Sequence, residues 1–105
     1  MIYYYTKIVS LDDEIVILWL NWMIDVHTPE LFSHDIFTDF TIQKVLKSDS
    51  TYHDRTTYII SFECESPEKY ERYVKEFEPL TRKQFYGSYP GMYSVQRYFG
   101  EMNAG

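Results

Sequence analysis

Trp19-Leu20-Asn21-Trp22-Met23-Ile24-Asp25-Val26-His27-Thr28-Pro29-Glu30 ends a strongly apolar helix, presents one histidine and then meets a proline. Upstream of it, Ile15, Leu18, Trp19, Trp22, Met23 and Val26 recur at i, i+3, i+4, i+7, i+8 and i+11, the spacing of one buried helical face. Asp12 stands where an N-cap belongs, and Asp13 and Glu14 place negative charge near the positive end of the helix dipole. A second apolar set, Val16, Ile17, Leu20 and Ile24, lies well away from the first, leaving Glu14, Asn21 and Asp25 as the polar strip. A surface helix on a small monomer shows water a wider face than that. Two sides of this helix therefore need cover, one from the chain's own sheet and the other from a second helix or a partner subunit. The run falls short of the roughly 20 apolar residues a bilayer requires, so no membrane span is expected.

Around this helix the pattern changes to period two. Residues 2–10 are rich in β-formers and read as a first strand, with Tyr3, Tyr5, Lys7 and Val9 on one face and Ile2, Tyr4, Thr6 and Ile8 on the other. Thr28 is expected to cap a short helical turn with Pro29 at its first position. A strand follows over 37–47, then a hydrophilic hairpin connection over 48–55 that contains His53, then a third strand over 56–65 with Tyr58, Ile60, Phe62 and Cys64 pointing one way. Ser66-Pro67-Glu68 has the order of a helix start, and Tyr70, Tyr73, Val74 and Phe77 make its buried stripe. Pro79 should kink or restart that helix, with residues 80–86 continuing it. Met92 to Gly100 form the last strand, and residues 101–105 look like a frayed tail. The order β-α-β-β-α-β is the ferredoxin-like arrangement: a four-stranded antiparallel sheet with two helices on one face.

Composition narrows the function classes. At 105 residues there is room for one domain spanning 1–105. Eleven Tyr, seven Phe and two Trp imply large, rigid contact surfaces with half-wet hydroxyls. A formal charge of −6 without a Lys/Arg cluster argues against nucleic-acid binding. One cysteine, Cys64, precludes an intramolecular disulfide and a cysteine-based zinc site, and suits the reducing cytoplasm. The N-terminus lacks the basic and apolar regions of a secretory signal, so a cytoplasmic location is expected.

Several motifs resemble a small bacterial family known as domain of unknown function 4286. They are Trp19-Leu20-x-Trp22-Met23 with His27-x-Pro29-Glu30, then Glu68-x-Tyr70-Glu71-Arg72-Tyr73 ahead of Pro79, and Arg97 in the last strand. The family is similar in topology to dimeric α+β barrel proteins, in which two ferredoxin-like sheets close against each other. That superfamily includes cofactor-independent monooxygenases and small-ligand binders, so the resemblance implies a homodimer. Phe77 and Phe85 stand where relatives often carry His, and His34-Asp35 occupies a turn where they favour Gly.

Three groups of residues could carry chemistry. His27, Glu30 and His34 share one face at i, i+3 and i+7, a spacing open to metal ligation, but Pro29 argues against a continuous helix and no metal or other cofactor is expected. His27 could instead hydrogen-bond the last carbonyls of its helix, or sit at the mouth of a cleft between helix and sheet as a general acid/base. Tyr3, Tyr5, Tyr58, Tyr93 and Arg97, joined by Glu30 and His34, could line a site for a flat or anionic small molecule with Arg97 as the fork for its charge. The same tyrosines could equally pack a dimer interface. Cys64 lies on an apolar strand face, where an inert thiol is expected. The residues thus favour a homodimeric small-molecule-binding protein; a cofactor-independent enzyme acting through His27 and a ligand-free assembly module are the alternatives.

Overall fold

A computed structural model describes residues 1–48, 55–81 and 84–103. Strands β1 (Ile2–Asp12), β2 (Phe37–Lys44), β3 (Arg55–Cys64) and β4 (Tyr93–Met102) form one antiparallel sheet in the order β2-β3-β1-β4. The two long segments before β2 and before β4 cover one face of it. This is the ferredoxin-like arrangement expected from the alternating patterns. Most of the hairpin connection, His53 included, lies outside the described residues.

Register sets the inner face. Lys7 stands opposite Ile60 on β3 and Arg97 on β4; Tyr5 stands opposite Phe62 and Phe99, and Val9 opposite Tyr58 and Val95. Because strand side chains alternate, these residues all point to the helices. Tyr5, Val9, Leu11, Ile60, Phe62 and Cys64 are accordingly buried in one core with Trp19, Met23, Leu31, Phe37 and Tyr73. Lys7, only 4% exposed, is the charged member of that row on β1.

The first helical segment is continuous and changes its pitch. A 3₁₀ turn over Asp13–Ile15 leads into α1 (Val16–Trp22), a π-helical stretch over Met23–His27 and then α2 (Thr28–Ser33). The Thr28 N–H donates to the Met23 carbonyl, an i→i+5 bond. Proline here explains the widening. Pro29 has no N–H to give the Asp25 carbonyl and its ring would clash with that carbonyl in an α-helix, so the turn before it opens. The chain does not break at Pro29 as its sequence suggests.

That wider turn also corrects which residues face inward. Ile15, Trp19, Met23 and His27 make the buried row, whereas Leu18 and Val26, expected inside, are about half exposed (49% and 50%). A strict 3.6-residue period carries Val26 inward; the wider turn substitutes His27. Ile17 and Ile24 are exposed, while Val16 and Leu20 are half-buried against the core. Capping differs too. The Asp12 carboxylate accepts from Arg55 Nε at 3.0 Å and makes no helix cap. Thr28 lies inside the first turn of α2, and its buried hydroxyl finds no partner.

The second segment follows its sequence signals. Ser66 caps α3 (Pro67–Glu76) by accepting from the Lys69 N–H at 3.2 Å. The helix stops before Pro79 and restarts as α4 (Glu78–Thr81), and a 3₁₀ turn over Phe85–Ser88 leads toward β4. Val74 is exposed, so Tyr73 with half-buried Tyr70 and Phe77 makes the inner stripe. Glu101 and Met102 belong to β4 rather than to a tail.

Trp19 ties the two segments together. It is fully buried, stacks on Tyr58 at 5.2 Å and donates its indole N–H to the Tyr86 hydroxyl at 3.0 Å. Trp19→Phe keeps most of the ring contact but strands that hydroxyl, so it should lower unfolding stability by about 1–3 kcal/mol, read from urea midpoints.

Candidate functional site

β1, the π-helical stretch and α4 converge on a polar cluster inside the apolar core. Lys7 Nζ lies 2.8 Å from His27 Nε2, and both residues are buried. Around them Trp22, Tyr73, Glu78, Thr81, Tyr86 and Arg97 line an enclosed cavity of about 10 Å³, room for about one water molecule. His27 lies beneath Trp22, ring centroids 4.5 Å apart and nearly parallel. Residues five apart diverge in an α-helix; the π-helical turn brings these two together.

Burial sets the charge states. Desolvation, and then the neighbouring Arg97 guanidinium, lower the Lys7 pKa to about 7 against the opposing pull of Glu78. Desolvation, followed by Lys7 and Arg97, holds His27 down to about 2, so its imidazole is neutral at physiological pH. With Nε2 accepting from Lys7, the ring proton resides on Nδ1, which is buried and finds no partner. The Tyr5 hydroxyl lies near that of Tyr73 but likewise reaches no group with hydrogen-bond geometry. Burial raises the phenol pKa of Tyr5, Tyr73 and Tyr86, so all three stay protonated donors.

The residues singled out from the sequence separate into those at this cluster and those away from it. His27 and Arg97 line the cavity, and Tyr5 packs beside it, with Lys7 Nζ 5.5 Å from its ring centre. His27 is neither a helix C-terminus nor a cleft mouth, because the helix runs through it and it is 1% exposed. Tyr58 stacks on Trp19 and Tyr3 on Phe99, and Tyr93 packs at a tilt on Tyr86, all as packing contacts. Glu30 is approached by Gln84 Nε2 at 3.5 Å, and His34 stacks on Phe77 at 3.7 Å, so neither reaches His27. Among the described residues no three His, Cys, Asp or Glu side chains are grouped to hold a metal. The Cys64 thiol is buried, donates to the Ser66 carbonyl, and has its pKa raised by desolvation.

Of the cavity residues, Tyr73 is expected only as part of its helix's buried stripe, while Lys7, Glu78, Thr81 and Tyr86 are not singled out from the sequence. Only Lys7 carries a local signal, a lone cation on the strand face shared with Tyr3, Tyr5 and Val9. The others reach the cavity through packing between elements far apart in the chain.

Sheet order, helical cover and the enclosed polar cluster define an α+β protein of the ferredoxin-like kind. The chain belongs to the family described as domain of unknown function (DUF4286), matched over residues 1–101. No curated protein matches it. Among solved structures it is similar to HapK from Hahella chejuensis (TM-score 0.66, 15% identity, covering 100% of this chain and 95% of that one). It is also similar to a dimeric ferredoxin-like protein from an uncultured marine organism (TM-score 0.66, 17% identity, covering 95% and 93%). A third is a Bacillus cereus protein provisionally named an antibiotic biosynthesis monooxygenase (TM-score 0.59, 12% identity, covering 99% and 97%). At these identities the likeness is one of fold. No helix among the described residues is long and apolar enough to cross a membrane.

Proposed function

We propose that this chain forms one domain spanning residues 1–105, works as a cytoplasmic homodimer, and binds a small anionic molecule between the sheet and the first helical segment. The observation that carries the reading is Lys7 with Arg97 on the core-facing side of the sheet, beside the unpartnered Nδ1 of His27. The two cations share the cavity with one carboxylate, Glu78, which leaves positive charge in excess there for an anion to offset. Arg97 offers a planar fork for a carboxylate or phosphate, and His27 Nδ1–H and the tyrosine hydroxyls offer further donors. The cavity holds about one water as it stands, so a ligand displaces Trp22, which is only half-buried. Cys64 as a free buried thiol fits a reducing compartment. The dimeric state draws on the solved relatives described as dimeric ferredoxin-like proteins.

A thermal-shift series with acetate, glycolate, glyoxylate and phosphate tests the reading, because a ligand that binds only the folded chain raises its apparent stability. At 100 times Kd the gain should be about 2.7 kcal/mol. Arg97→Gln should remove most of it while leaving the unliganded melting temperature close to wild type. If no anion shifts the wild-type protein, the reading fails.

A second reading, a cofactor-independent enzyme using His27 as acid/base, draws on the 2.8 Å contact between its Nε2 and an amine. A general base works best with a pKa near the working pH, and in this pair Lys7 rather than His27 meets that condition. His27 Nε2 therefore serves as a hydrogen-bond acceptor that orients its neighbour, not as the base.

A further inference from the structure

We infer that Lys7 is an amine nucleophile that forms an imine with a small aldehyde or keto compound bearing a carboxylate, the carboxylate resting on Arg97. The inference rests on the anion-binding reading above and adds a covalent step to it.

Three observations point this way. Lys7 is buried on an inward-facing strand position, so its stem is fixed by packing among Tyr5 and Phe62, with Nζ 5.5 Å and 5.7 Å from their ring centres. Its Nζ is within hydrogen-bond reach of a neutral imidazole nitrogen, which accepts an N–H and so orients the amine. Arg97 stands directly across from it on β4 and lines the same cavity, so a carboxylate held there places an adjacent carbonyl carbon beside Nζ. The low pKa of Lys7 supports the same role. An apolar surrounding and a neighbouring cation free the lone pair of a lysine near neutral pH, whereas an ordinary lysine keeps it protonated.

The step balances without a redox partner. The Lys7 lone pair forms a C–N bond to the carbonyl carbon while the carbonyl π pair moves to oxygen. One N–H proton passes to that oxygen through the single water the cavity has room for, giving a carbinolamine. The remaining N–H proton then leaves with the hydroxyl as water, and the C=N bond forms. One amine and one carbonyl become one imine and one water.

Reductive trapping tests it. The protein is incubated near neutral pH with glyoxylate and cyanoborohydride, and the adduct is located by peptide mass mapping. Lys7 should be labelled at least about tenfold faster than exposed Lys44 or Lys75, since far more of it is neutral there. The signal should vanish in Lys7→Met and slow about tenfold in His27→Leu, which removes the hydrogen-bond acceptor that positions Nζ. Arg97→Gln should abolish the preference for glyoxylate over acetaldehyde. Glycolate, which has the carboxylate but no carbonyl, should protect Lys7 in wild type. If glycolate and glyoxylate both stabilise the protein yet the label spreads over surface lysines and spares Lys7, the nucleophile inference is wrong and anion binding stands. If neither stabilises it and Lys7 is unlabelled, both are wrong.

Discussion

The unfolding free energy of the wild-type protein is expected to rise from about pH 7 to about pH 10, a range where many proteins have passed their optimum. Lys7 loses its proton near about 7 when folded and near 10.5 when unfolded. Between those values the unfolded chain binds more protons, so raising the pH favours the fold, by at most about 1.4 kcal/mol per pH unit. His27 adds the same sign lower down. Its folded value of about 2 against 6.5 unfolded means stability falls as the solution is acidified below about pH 6.5. Above about pH 10 the trend reverses, because burial keeps Tyr5, Tyr73 and Tyr86 protonated in the fold while the unfolded phenols ionise. Glu78 and Arg97 face Lys7 from α4 and β4, and they enter its folded value in opposite directions. Urea midpoints at one fixed protein concentration from about pH 7 to about pH 9.5 read the effect. Lys7→Met should flatten it, while stranding the buried His27 Nε2 acceptor should cost about 1–3 kcal/mol across that range. A wild-type profile as flat as that of Lys7→Met would show that Lys7 titrates alike in the folded and unfolded chain.

The architecture was legible because its signals are local. Tyr58, Ile60, Phe62 and Cys64 alternate on β3, and Ser66-Pro67 starts α3 where cap and proline chemistry put it. The site was legible only at His27, Tyr5 and Arg97, and there for incomplete reasons. A period of 3.6 residues sends Val26 inward, and nothing short of the i→i+5 bond from Thr28 to Met23 shows that His27 takes its place. The pairing of His27 with Lys7 spans 20 residues and depends on which strand lies under the helix. Glu30 and His34 failed as partners of His27 for the same reason, since the widened turn breaks the face they would share and His34 stacks on Phe77 instead. The Asp35 backbone, at φ 57, accounts for one departure from the family resemblance, a turn where relatives favour Gly. Asp tolerates the left-handed conformation that Gly adopts freely.

Tyr98→Glu is expected to weaken self-association by about 100-fold or more, the equivalent of about 2.7 kcal/mol. Helices cover one face of the sheet and leave the other free. On that free face Tyr4, Thr6, Thr41, Ser61, Tyr98 and Met102 edge a shallow concavity of about 390 Å³, with Tyr98 and Met102 more than half exposed. A sheet-to-sheet contact between two copies would cover those side chains, and a two-fold interface places the same substitution in it twice. Each new carboxylate would be desolvated with no cation provided for it, so the penalty falls on the dimer and not on the folded subunit. The exposed helical stripe of Ile17, Leu18, Ile24 and Val26 supplies the competing surface. Ile17→Glu on that stripe should leave the association constant within a few-fold of wild type. Light scattering over a micromolar dilution series separates the two surfaces. Dissociation by Ile17→Glu with Tyr98→Glu unaffected would move the interface to the helices, where a partner would lie over Trp22 and the wall of the Lys7 cavity.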